Sequence, residues 1–164
     1  MKSNEWVKTI LYTYNYLGRV ADGIDKLVTQ NALNSFYFRG ERQSENGVMS
    51  VANRIIELSS RKVRLINLKV LIEKSLNLMP RELARLLVQR YIDNDEAGEI
   101  ALRNKLNLRT YFRKLIKAES SFKEIMTKLG FNDEKLSKYL EKEKWIIEVY
   151  EKFLNESKEE KKLA

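Results

Sequence analysis

Apolar side chains at Trp6, Ile10, Tyr14, Leu17, Val20, Ile24 and Leu27 recur every three or four positions, so the chain is expected to open with one long amphipathic helix. The period breaks from Leu33 to Gly47. There Asn34, Ser35, Gly40, Ser44 and Asn46 read as a loop, which Phe36, Tyr37 and Phe38 would pin to the core. A second long helix is expected from Val48 to Leu76. It carries Val51, Ile55, Leu58, Leu65, Ile72 and Met79 on one seam and Ile56, Val63 and Val70 on a neighbouring one. Two seams imply two packing partners: the first helix, returning antiparallel as a coiled-coil-like hairpin, and the helices that follow.

Pro80 suits the first turn of a new helix, which Leu83, Leu86, Leu87 and Tyr91 continue to Ile92. Asp93, Asn94 and Asp95 form a turn whose side chains can cap the next helix, Glu96 to Lys105. Capping explains these acids better than a divalent-metal cluster, because the run is shorter than a calcium loop and lacks its spacing. Asn107 offers a left-handed turn position. Arg109 to Leu129 then reads as helical, and Gly130 closes it. Asn132 or Asp133 can cap one final helix with Leu136, Leu140, Ile147, Tyr150 and Leu154, fraying from Ser157 to Ala164. Trp145, Ile146, Tyr150 and Phe153 make that helix too apolar to stand free, so it packs back on the domain or across a dimer. Tyr12, Tyr14 and Tyr16 read as core and interface contacts rather than as a base-stacking platform. The fold class is therefore all-α, a long helical hairpin followed by shorter helices, divided as 1–79, 80–130 and 131–164.

Composition supports this and narrows the chemistry. Six Gly and one Pro in 164 residues leave little material for the turns of a sandwich or barrel. The lack of Cys and His excludes thiol nucleophiles, imidazole acid/base chemistry, a disulfide framework and the usual zinc sets. No paired carboxylates, Gly-rich phosphate loop or activated nucleophile appear, so neither an enzyme nor a cofactor is expected. No apolar run reaches the roughly 18 residues of a membrane span, and the first ten residues lack a signal-peptide layout. The expected location is cytoplasmic, with no membrane partner.

Net charge is +8, and its distribution matters more than its total. The segment 132–164 has 8 basic against 9 acidic side chains, so it is no basic arm. By contrast, Arg103, Lys105, Arg109, Arg113, Lys114, Lys117 and Lys123 all follow Glu99 with only Glu119 among them. Such density attracts polyanions, nucleic acid first. Pro80 to Ala118 reads as helix, turn, short helix, turn, basic helix, the order of a helix-turn-helix with its supporting helix in front. Leu106 and Leu108 would bury at the turn, and Phe112, Leu115 and Ile116 would continue the inward face. Arg109, Thr110, Arg113, Lys114 and Lys117 would then turn outward, with Tyr111 at the boundary. Arg can bind guanine bidentately, Thr or Tyr can reach base edges or phosphate, and the remaining cations can meet phosphates.

Leu86 to Ile92, Glu99-Ile100-Ala101, and Leu108-Arg109-Thr110-Tyr111-Phe112-Arg113 with Ala118 resemble the DNA-binding region 4 of sigma-70-type factors. They are more similar still to the ArpU and RinA group of late-gene regulators in phages of low-GC Gram-positive bacteria, which place a long helical segment before a sigma-like helix-turn-helix. The resemblance spans residues 48–120. It implies that Arg109, Thr110, Tyr111, Arg113 and Lys114 touch double-stranded DNA, flanked by Arg103, Lys105 and Lys117, and that RNA polymerase is a further candidate partner. With Asn107 as turn residue, the position four back, where such units favour Ala, is Arg103, and Ala101 lies two residues earlier. Either the second helix is longer or the turn is unusual.

The expected function is a sequence-specific DNA-binding transcriptional regulator, with a homodimer through the N- or C-terminal helices left open. The rivals are a helical protein-interaction module, such as a phage inhibitor of a host protein, and a small DNA-packaging subunit that would assemble into a ring.

Overall fold

The computed structural model describes residues 4–37 and 45–164, which are all helical apart from short connections, with no strand among them. Seven α-helices follow in order: α1 (Glu5–Tyr37), α2 (Glu45–Leu78), α3 (Arg81–Leu87), α4 (Ala97–Arg103), α5 (Leu108–Lys128), α6 (Asp133–Tyr139) and α7 (Lys144–Leu163). Residues 33–37 and 45–47, expected in a loop, are helical. The pinning role expected of Phe36, Tyr37 and Phe38 falls outside the described side chains.

The chain forms two compact units, Met1–Asn15 with Leu71–Ala164, and Tyr16–Val70. In the second, Leu17, Ala21, Ile24, Leu58, Leu65 and Leu68 are buried. Asp25 pairs with Lys62 at 2.7 Å, and the site of Gly18 lies beside the Lys69 ammonium, so the two helices run antiparallel here. The second seam of α2 finds no partner among the described residues. Ile56, Val63 and Val70 are 62%, 55% and 54% exposed, and Met49, one heptad earlier, is exposed with them. One antiparallel neighbour covers one stripe of a helix, and the Leu58/Leu65 stripe takes it.

In the first unit, Trp6, Val7, Ile10 and Leu11 of α1 are buried along with Ile72 of α2. Pro80 stands at the N-cap of α3, where its carbonyl accepts from the Ala84 N–H at 3.0 Å. The helix then widens into a π-helical turn over Val88–Ile92, which the Asp93 N–H closes on the Val88 carbonyl at 2.8 Å. Asn94 follows with φ of 60°, a conformation that Asn tolerates. Side-chain capping by the acids does not occur. Glu96 is the N-cap of α4 without a capping side-chain bond, and the Asp95 carboxylate accepts from Arg103 at 3.0 Å instead.

The turn between α4 and α5 also differs from expectation. Lys105, with φ of 56°, is its left-handed residue. The Lys105 N–H bonds to Leu102 and the Leu106 N–H to Ala101, the paired bonds of a Schellman closure. Asn107 is instead the extended N-cap of α5, its side chain accepting from the Thr110 N–H at 2.8 Å. The residue four before the left-handed position is therefore Ala101, which is buried, and not Arg103. Gly130 closes α5 with φ of 95° and the same bond pair, Gly130 N–H to Thr127 and Phe131 N–H to Met126. A left-handed residue without Gly costs about 1 kcal/mol, which Lys105 bears and Gly130 avoids.

The expected single C-terminal helix is two. Asn132 caps α6 through the Lys135 N–H at 2.8 Å, and the chain breaks before α7. On one continuous helix Leu140 and Ile146 would stand about 120° apart. Both are fully buried, and the break accommodates them. Helix α7 packs back on α1: Tyr150 stacks on Trp6 at 4.3 Å and Phe153 meets Tyr12 edge-on at 6.0 Å. Instead of fraying at Ser157, it stays helical to Leu163.

Candidate nucleic-acid interface

Helices α3 and α4 both pack on α5. The inward seam of α5 is Tyr111, Leu115, Ala118, Phe122 and Met126, spaced by three and four throughout. Such a seam fixes the outward face. Leu108, Arg109, Phe112, Arg113, Ile116 and Lys117 all point to solvent.

The residues singled out in the sequence divide accordingly. Arg109, Arg113 and Lys117 are exposed in one row along α5, and none makes an ion pair among the described residues; Lys105 is exposed at the turn just before them. Thr110 is half-buried in the first turn. Lys114 is drawn sideways to α3, where its ammonium is bonded to the Glu82 carboxylate. That bond, with the Lys114, Lys117 and Arg85 charges, holds the Glu82 carboxyl below the usual range. Arg103 is tied to Asp95.

Tyr111 is not on this surface. Its side chain is fully buried, contrary to the boundary position expected, and its hydroxyl has no hydrogen-bond partner among the described residues. Three apolar residues expected inside lie outside: Leu108 is 52%, Phe112 46% and Ile116 60% exposed, while Leu106 at the turn is half-buried. The reason is angular. Positions 112 and 116 sit about 100° from 111 and 115, so only one of the two apolar rows can face α3 and α4. Extending the period to Phe122 and Met126 would have identified the row, since only the seam from Tyr111 continues that far.

Beneath the surface lies a polar cluster that sequence pattern did not reveal. Glu119 is buried on α5, accepting from the Tyr91 hydroxyl of the π turn and from the Asn4 amide of the chain leading into α1, the latter at 3.3 Å. Burial raises its carboxyl above the usual range, against the Tyr91 bond, the Lys8 charge, the Asn4 bond and the Arg90 charge. Burial and the neighbouring carboxylate push the Tyr91 hydroxyl far above the ordinary tyrosine value, so it stays a neutral donor. The only sequence signal was an acid, Glu119, in a helix otherwise basic to that point.

An open groove elsewhere in the unit, lined in part by Tyr14, Glu73, Arg81, Arg85, Gln89 and Asp93, mixes both charges. Burial and the Glu73 carboxylate, which accepts from the Tyr14 hydroxyl at 2.6 Å, push that hydroxyl up to about 12. Among the described residues no group of three His, Cys, Asp or Glu could hold a metal, and no helix is long and apolar enough to cross a membrane. No family model, curated protein or solved structure matches the chain.

Proposed function

We propose that the chain is a DNA-binding transcriptional regulator in which α4, the Lys105 turn and α5 form a helix-turn-helix unit, with α3 in support and α5 as the recognition helix. The observation that carries this reading is the row Arg109, Arg113 and Lys117. These cations point away from the protein, lie four residues apart, and have no exposed acid beside them on the first three turns of α5. A cationic row on the N-terminal half of an exposed helix matches the major-groove geometry of such units, where Arg reads guanine and nearby cations release counterions from phosphate. Buried Ala101 four before the turn residue supports the same register. The resemblance to sigma region 4 and to the ArpU and RinA regulators adds the role: control of phage or prophage transcription, with RNA polymerase as a partner. That part rests on the resemblance alone.

The test is fluorescence anisotropy of wild type and Arg109→Glu/Arg113→Glu with pooled duplex DNA across a salt series. Wild type is expected to bind with log affinity falling by about 0.9 per neutralised phosphate for each log unit of salt, and the folded double variant to lose that binding. Flat, weak binding shared by both proteins would refute the reading.

A second reading, a helical protein-interaction module, is favoured by the exposed row Met49, Ile56, Val63 and Val70. Its strict seven-residue spacing suits the matching row of a second copy in a two-stranded coiled coil. A dimeric mass together with the flat titration would favour it over DNA binding. A ring-sized mass would favour the packaging subunit.

A further inference from the structure

The proposed recognition face is not uniformly cationic, and its second half remains to be assigned. Beside Arg109, Arg113 and Lys117 runs a parallel row of Leu108, Phe112 and Ile116, also four residues apart and each about half exposed. From Leu108 to Ile116 the helix rises about 12 Å, close to the width of the major groove. Leu102, at the end of α4, is also exposed, at 81%. The central residue is also held in place, because the Phe112 ring meets the buried Tyr111 ring at 5.0 Å in an edge-to-face contact. An exposed aromatic fixed by a buried one presents its apolar surface without a large ordering cost on binding.

Such a row needs an apolar occupant inside a strongly anionic partner. A second copy of the same face does not qualify, since it would set Arg109, Arg113 and Lys117 against their own counterparts. A duplex does qualify. Its phosphates meet the cationic row, and in the major groove the one apolar group on a base edge is the C5-methyl of thymine. We propose that Leu108, Phe112 and Ile116 are specificity-determining residues that read thymine methyls, so that the preferred site combines guanines opposite the arginines with neighbouring thymines. This rests on α5 being the recognition helix.

The test begins with the duplex that wild type enriches from a random pool, prepared once with thymine and once with deoxyuridine, which lacks only the C5-methyl. Wild type is expected to bind the deoxyuridine duplex more weakly, by about fourfold for each methyl that enters the contact, taking about 0.8 kcal/mol per buried methyl-sized group. Phe112→Ser and Ile116→Ser, made singly at exposed positions, should each shrink the thymine-to-deoxyuridine ratio toward one while leaving the salt dependence unchanged. Equal binding of both duplexes by wild type, with a steep salt dependence intact, would overturn the methyl inference and leave the DNA-binding reading standing. Enrichment of no sequence would also overturn it. Salt-independent binding shared with Arg109→Glu/Arg113→Glu would overturn the reading beneath it as well.

Discussion

At the scale of single residues, Tyr111 separates two kinds of aromatic. Its type and its place between Thr110 and Phe112 suit a base contact, yet its side chain is fully buried. A buried hydroxyl without a partner carries its desolvation cost uncompensated, in the range of about 1 to 3 kcal/mol. Tyr111→Phe is therefore expected to leave DNA affinity within twofold of wild type and to raise unfolding stability by about 1 kcal/mol, read by chemical denaturation. A large loss of affinity in the folded variant would return Tyr111 to the contact surface. The cations were legible in the sequence as a group but not individually. Whether a Lys faces solvent or is tied to a neighbour, as Lys114 is to Glu82, depends on α3, which lies 32 positions away.

At the scale of elements, the two long helices and the succession α3, α4, α5 could be read from period and punctuation, because Pro80 and Gly130 act locally. What could not be read was set by tertiary choice. Two apolar rows compete on α5 and on α2, and the packing partner selects one; the break before α7 follows from burying Leu140 and Ile146 together. The Glu119 cluster belongs to this scale, since it joins α5 to the π turn and to the start of α1. Because burial raises its carboxyl, the folded protein retains a proton that the unfolded chain has released. Stability from this group is therefore full below the ordinary glutamate range and declines as pH rises from that range through the folded value. Glu119→Gln should flatten that decline in a series of melting temperatures against pH, and the side-chain Oδ1 of Asn4, which has no partner among the described residues, can accept from the new amide. Coincident wild-type and variant profiles would show that Glu119 is not held protonated.

At the scale of the whole molecule, the net charge of +8 drives association with any polyanion, so bulk binding alone does not locate the surface. The proposal specifies a location: the Lys105 turn and the outward face of α5 are where DNA is expected to bind. The most direct test is a backbone-amide NMR titration of the labelled 164-residue chain with the enriched duplex at moderate salt. The largest perturbations are expected on Lys105, Leu108, Arg109, Arg113 and Lys117, with those of 49–70 near zero. Perturbations centred on Met49, Ile56, Val63 and Val70, or on α7, with α5 undisturbed, would contradict it.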